Sequence, residues 1–166
     1  EGTRITAKSV PCRNTVKSIA CKQNITVLSV SSTRMLMAHG FLRRIFEIFD
    51  RYQTAVDMIS TSEVSVSLTI DDTRRIADIT RELREFAEVS IEENQAIICL
   101  VGDNLRYTPG VAGRIFGALN GVNIRMISQG ASLLNVSLVV DARHLSEAVA
   151  LLHDEFFTDL DPAVFD

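Results

Sequence analysis

A duplication constrains this chain more than any other feature of its sequence. The segment GFLRRIFEIFDRYQTAVDMISTSEVSVSLTIDD begins at Gly40, and GVAGRIFGALNGVNIRMISQGASLLNVSLVVDA begins at Gly110. They align over their whole length with small gaps, at an offset of about 70 residues, longer than a solenoid period. Arg44-Ile45-Phe46 matches Arg114-Ile115-Phe116, Met58-Ile59-Ser60 matches Met126-Ile127-Ser128, and Val66-Ser67-Leu68 matches Val136-Ser137-Leu138. A repeat this long is a small domain in itself, and 166 residues have room for two.

Each copy reads as strand, helix, strand, strand, helix. In the first, the β-branched run ITVLSVS from Ile25 predicts a strand. Gly40 opens a helix with Phe41, Leu42, Ile45, Phe49 and Tyr52 at helical spacing. Residues 55–60 and 63–70 predict a hairpin closed by Ser60-Thr61-Ser62-Glu63. In it Val64, Val66, Leu68 and Ile70 alternate with Ser65, Ser67 and Thr69. Asp71 or Asp72 is the expected cap of a second helix, lined by Ile76, Ile79, Leu83 and Phe86. AEVSIE adds a closing strand. The unit is βαββαβ, one sheet with both helices on one face, which is the ferredoxin-like arrangement.

The second copy begins with AIICLVG and carries a helix through Ile115 and Leu119. Strands near Ile124–Ser128 and Leu134–Val140 follow, then a helix with Leu145, Val149, Leu152 and Phe156. It is then one strand short, because TDLDPAVFD reads as a frayed acidic tail. VKSIAC, Val16 to Cys21, precedes the first repeat and otherwise has no partner. An open sheet edge is a pairing liability, so this segment is expected to complete the second sheet, leaving the first unit inserted within the second. The class is α+β, with residues 1–24 as entry and borrowed strand, 25–93 and 94–157 as the two units, and 158–166 as tail.

Composition excludes more than it assigns. The chain is 46% hydrophobic with a formal charge of −4, and its arginines are scattered, Arg43-Arg44 and Arg74-Arg75 being the densest. No basic stripe for nucleic acid and no membrane span is readable. Cys12, Cys21 and Cys99 are an odd number without metal-type spacing, which fits a reduced, intracellular protein. The start at Glu1 rather than Met fits a fragment. No phosphate-binding loop, paired-histidine metal helix or nucleophile elbow occurs, and His39, His144 and His153 are dispersed.

Two places remain where chemistry could gather. Gly40 at a helix start leaves backbone N–H groups free for a carboxylate and lets another group approach closely. Asp57 places an acid in an apolar strand, able to receive an ammonium, with Thr61, Ser62 and Glu63 completing a polar lining. Together they would suit an amino-acid zwitterion. A structural acid paired to a nearby Arg or a backbone amide accounts for Asp57 equally well. The matching position in the second copy is Arg125. That reversal suggests the two units differ in what they bind.

MLMAHGFLRRIFEIF, VDMISTSEVSVSLTID and VNIRMISQGAS closely resemble the regulatory C-terminal part of aspartate kinase, the lysine-sensitive single-function type. EGTRITA at the start resembles the exit of the kinase domain. The resemblance implies tandem ACT units, ferredoxin-like amino-acid-sensing modules, with the first inserted in the second. It implies pairing of ACT units between two chains, side by side. It also implies an effector, usually lysine and sometimes threonine, bound by the first unit at that interface. The residues it marks are Met35, Gly40, Phe41 and Leu42 at the loop and helix start, and Val56, Asp57, Ser62 and Glu63 on the strand and turn. Where many lysine-sensitive relatives have His-Ser, this chain has Met37-Ala38, an apolar replacement able to pack on a lysine stem. The kinase domain, with its ATP, Mg and aspartate sites, would lie upstream of Glu1. The resemblance thus implies a non-catalytic, cofactor-free, cytoplasmic regulatory region that partners its own kinase domain. A threonine-binding module and a purely structural dimerisation module are the alternatives.

Overall fold

Two long strands run through both repeats and join them. The computed structural model describes residues 12–32 and 39–162. Strand β1 spans Val16–Ser31 and β4 spans Glu88–Gly102. Between them lie α1 (Phe41–Arg51), β2 (Ile59–Thr61), β3 (Ser65–Ile70) and α2 (Ile76–Leu83). After β4 come α3 (Val111–Ala118), β5 (Ile124–Ser128), β6 (Asn135–Asp141) and α4 (Leu145–Phe156). All six strands form one antiparallel sheet in the order β2-β3-β1-β4-β6-β5.

The register divides this sheet into two four-stranded units. The second half of β1, Thr26–Ser31, pairs with β3, and Val27–Ser31 pairs with the first half of β4. The first half, Val16–Lys22, pairs with Ile97–Gly102, and β4 pairs there with β6. VKSIAC is thus the fourth strand of the second unit, which wraps the first. AEVSIE and AIICLVG, which read as separate strands, are one. The boundaries expected at 24–25 and 93–94 fall at Asn24 (φ 58°) and Asn94 (φ 56°), inside continuous strands. The left-handed region costs a branched side chain roughly 1–2 kcal/mol, and asparagine tolerates it best after glycine. The β1–β4 register shifts around Ile25, so each long strand bends where its asparagine sits.

Alternation along these strands builds three cores. Leu28, Val30, Leu68 and Ile70 pack beneath Ile45, Ile48 and Phe49 of α1 and Ile79 and Leu83 of α2. Ile98, Leu100, Val136 and Leu138 pack beneath Ile115 of α3 and Leu145, Leu152 and Phe156 of α4, and Val16 joins them. The third core lies on the helix-free faces, where Ile25, Val27 and Met58 meet Ile97, Met126 and Val139. Val27 and Ile97 are repeat equivalents, as are Met58 and Met126. The ends of the sheet order, β2 and β5, touch each other. The sheet therefore curls around this shared core with its helices outside. Both units also carry the same helix brace: Arg44 stacks over Phe86 at 3.9 Å and Arg114 over Phe156 at 4.4 Å.

Several local expectations need correction. On α1, Ile48 is buried while Leu42 is 40% exposed, so the face turned to the sheet runs through Ile45, Ile48 and Phe49. The strand expected over 55–60 is regular only from Ile59, although Asp57 N donates to Thr69 O and Thr69 N to Met58 O. Neither Asp71 nor Asp72 caps α2, whose N-cap is Arg75. Asp72 instead accepts from Arg74 N at 3.0 Å, closing the turn before the helix. Arg74 and Arg75 therefore precede the body of α2. Val64 is 42% exposed, whereas Thr69, expected on the open face, is fully buried and accepts from Met58 N at 2.8 Å. The tail does not fray over its described length. Arg13 N donates to Asp161 Oδ2 at 2.9 Å, Arg13 Nη2 to Asp159 Oδ1 at 3.0 Å, and Asp161 N to Asn14 Oδ1 at 2.9 Å.

The asparagine bends give a direct test by chemical denaturation. Asn24→Gly and Asn94→Gly should leave the unfolding midpoint nearly unchanged. Asn24→Val or Asn94→Val should each cost about 1–2 kcal/mol.

Candidate functional site

Gly40 sits at φ 82° immediately before α1, and among the described residues no side chain caps the helix start. The first turn holds no acid to complement the helix's first N–H groups. An added Cβ at Gly40 would meet nothing within 4 Å. The glycine is therefore required by its backbone angle, not by close approach of another group. Gly110 repeats the geometry before α3, also at φ 82°, so this helix start belongs to the duplicated fold. Phe41 packs edge-on against Phe86 at 5.6 Å. Met35, Met37 and Ala38 lie outside the described residues.

The hairpin turn is held by its own hydroxyl. Ser62 N donates to Ser65 O at 2.8 Å, and Ser62 Oγ accepts from Ser65 N at 3.1 Å while meeting Ser65 Oγ at 2.6 Å. Ser62 thus closes the turn, while Thr61 and Glu63 are exposed. Beside the turn, Ser31, Ser32, Val64, Phe86 and Glu88 line an open cleft of ≈ 390 Å³.

Asp57 is not at this end of the unit. Ser31 pairs with Ser65 and Glu88, which places the hairpin, Phe86 and Phe41 together at the end of β1. Asp57 bonds Thr69, which pairs with Val27, four residues back along β1 and roughly 13 Å away. Within one chain the structure therefore brings together Gly40, Phe41 and the turn, and separates Val56 and Asp57 from them. Val56 packs against the first core.

Asp57 has a cation of its own. Lys22 Nζ lies 2.7 Å from Asp57 Oδ1 and 2.8 Å from Asp71 Oδ2. Hydrogen bonds to these two acids, Asp57 first, hold the Lys22 ammonium above the usual lysine range. The Lys22 hydrogen bond in turn holds the Asp71 carboxyl below the usual carboxylate range. Arg125 of the second unit lies 3.4 Å from Glu92, on the half of β4 that serves the first. Glu92 follows Lys22 by the repeat offset, as Arg125 follows Asp57. The duplicated fold has kept an ion pair and exchanged its signs. The reversal at Arg125, expected to mark a difference in ligands, is matched by a reversal in its partner and needs no ligand to account for it. Extending the repeat upstream, so that Lys22-Gln23-Asn24 faces Glu92-Glu93-Asn94, would have exposed this compensation in the sequence.

No group of three or more potential metal ligands occurs among the described residues, and no described helix is long and apolar enough to cross a membrane. The three cysteines are unpaired with one another. His144 meets Glu147 at 3.2 Å and His153 stacks on Phe157, so neither stands beside a nucleophile.

A duplicated βαββαβ unit, its two copies joined through shared long strands in one six-stranded sheet, defines a tandem ACT regulatory module. In agreement, a family model described as ACT domain matches residues 98–156. A putative C-terminal regulatory domain of aspartate kinase from Porphyromonas gingivalis superposes with a TM-score of 0.78 at 42% identity, covering 87% of this chain and 100% of that one. Aspartate kinase FUB3 of Gibberella moniliformis is 40% identical over 147 residues, 85% of this chain and 29% of its own length. Escherichia coli aspartokinase III, solved in complex with lysine and aspartate in its T-state, has a TM-score of 0.80 at 35% identity, covering 90% of this chain and 35% of that one. The chain belongs to the aspartate kinase family and corresponds to its C-terminal regulatory region. It spans 27% to 33% of the length of the curated relatives it matches.

Two measurements test these electrostatics. Across the sign-exchanged pair, Glu92→Lys and Arg125→Asp should each cost up to about 1 kcal/mol, and the double exchange should recover most of the loss. In the first unit, Arg74 hydrogen bonds pull Asp72 from 3.8 down to about 2. A depressed carboxylate pKa contributes stability that is complete above the ordinary value and is lost as pH falls through the shifted one. Melting curves recorded from about pH 5 down to about pH 2 should therefore lose part of their acid-limb decline in Arg74→Ala.

Proposed function

We propose that this chain is an allosteric, amino-acid-binding region of an aspartate kinase, and that L-lysine is its feedback effector, held by the first unit. The observation that carries the reading is Asp57, just before the edge strand β2, holding a primary ammonium, that of Lys22, at 2.7 Å. The bare start of α1 supplies the complementary donors for a carboxylate. The relative solved with lysine and aspartate supports the same choice of ligand.

The separation of Gly40 from Asp57 makes the site composite. A second copy, related by a two-fold axis with β2 alongside β2, lies antiparallel to the first and brings its Asp57 toward the first copy's helix start. Ile59 of β2, 42% exposed, supplies apolar surface for the pairing, and Leu42 of α1, 40% exposed, would add to it. Glu63 and Thr61 at the turn would line the same junction. Met35, Met37 and Ala38 precede the helix start and would complete it, the last two offering apolar contact to a lysine stem. An effector that bridges two copies stabilises one quaternary arrangement over another, which is the condition for allosteric control.

In the whole protein the reaction would be transfer of the ATP γ-phosphoryl group to the side-chain carboxylate of L-aspartate, giving 4-phospho-L-aspartate. ATP and Mg would be bound upstream of this chain, which needs no cofactor of its own. The setting would be the cytoplasm, with the kinase domain and a second copy as protein partners and no nucleic acid or membrane involved.

A second reading has a specific observation in its favour. The sign-exchanged pair Glu92–Arg125 supports it, since the equivalent position of the second copy also holds an ion pair within the chain. On that reading the paired units only dimerise the enzyme. Calorimetric titration with lysine and with threonine, beside Asp57→Ala, separates the cases. Lysine heat that disappears in the variant is the expected result, threonine heat alone reassigns the effector, and silence with both leaves the structural reading. Sedimentation should give a dimer, and a strict monomer at high concentration would exclude the composite site.

A further inference from the structure

We propose that Lys22 is a tethered competitor for the effector: its ammonium occupies, in the free chain, the place on Asp57 that the effector's ammonium takes, and binding hands Lys22 over to Asp71. This rests on the reading of Asp57 as an effector ligand given above. Lys22 Nζ already touches both carboxylates, Asp57 at 2.7 Å and Asp71 at 2.8 Å. Release from Asp57 therefore leaves it paired, and a half-exposed lysine can make that move without unpacking a core.

The charge balance favours the exchange. Two acids share one ammonium in the first unit, so the cluster carries one negative charge in excess. The equivalent cluster has no such excess: Arg125 faces Glu92, and Asp141, the repeat equivalent of Asp71, has Arg143 at 3.3 Å. A cation arriving at Asp57 gives the first unit the same pairing of two acids with two cations.

The exchange also has a route outward. Asp57 and Asp71 belong to the first unit, whereas Lys22 lies on the half of β1 that completes the second, opposite Ile97 and two residues before the bend at Asn24. Freeing Lys22 from Asp57 removes one of the two ion pairs that join the units at the bend of a strand they share, and leaves the other. Ligand arrival is thereby coupled to the relation between the units, without any contact of ligand with the second.

A competitor lowers apparent affinity by the fraction of time it occupies the site. Lys22→Met in the full chain should therefore bind lysine about two- to fivefold more tightly by calorimetry, the size set by one half-exposed ion pair. Asp71→Asn should weaken binding, because Lys22 then has Asp57 alone, and that weakening should shrink in the Lys22→Met background. Lys22→Gln is the second variant should Lys22→Met melt early. Lysine affinity unchanged or weakened by removal of Lys22 overturns the competitor, as does an Asp71→Asn effect of equal size with and without Lys22. Those outcomes leave the effector reading standing if the parent chain binds lysine. Silence of parent and Lys22→Met alike overturns both.

Discussion

The antiparallel pairing of β1 with β4 carries the rest of the structure. Each long strand serves one unit with one half and the other unit with the other half, so neither unit is a closed sheet without the other. Cleaving or slipping this pairing would expose an edge in both units at once and strip the floor from all three cores. The side-chain alternation that places Leu28 and Ile98 under helices also places Val27 and Ile97 in the shared core. Local pattern and global architecture are thus the same constraint, stated at two scales.

Duplication explains which features can be trusted as fold and which as specialisation. The glycine before the first helix, the arginine over the closing phenylalanine and the asparagine at the strand bend occur in both copies. These serve the βαββαβ unit. The hairpin turns differ, since Glu63-Val64 of the first unit becomes Leu133-Leu134 in the second, both exposed at 48% and 54%. The ion pair at the start of the second strand stands between these cases, retained as a pair and altered in its signs.

Much of this was legible in the sequence, and the exceptions have physical causes. Periodicity located the four helices because each has an apolar stripe over a sheet, as Ile115 and Leu152 do. Topology located the borrowed strand, because an unmatched edge required a partner. The continuity of the long strands was hidden by Asn24 and Asn94, which read as breaks although a bulge carries the strand through them. The helix start at Gly40 was recognised, but its distance from Asp57 was not, since strand direction and register are set by pairing across the chain. Lys22 carries no sequence signal of its role, because its partners lie 35 residues and more away, beyond an intervening helix. The acid tail misled for the same reason, as Arg13 and Asn14 meet it only after folding.

That closure between the ends has a mechanical meaning. Arg13 and Asn14 grip Asp159, Leu160 and Asp161 just before β1 begins. A pull applied at residue 12 is divided between the backbone entering β1 and the bonds leading to α4. The second unit thus takes such a load at both of its boundaries, like a buckle fastened on two sides. The first unit receives it only as shear along the strands the two units share.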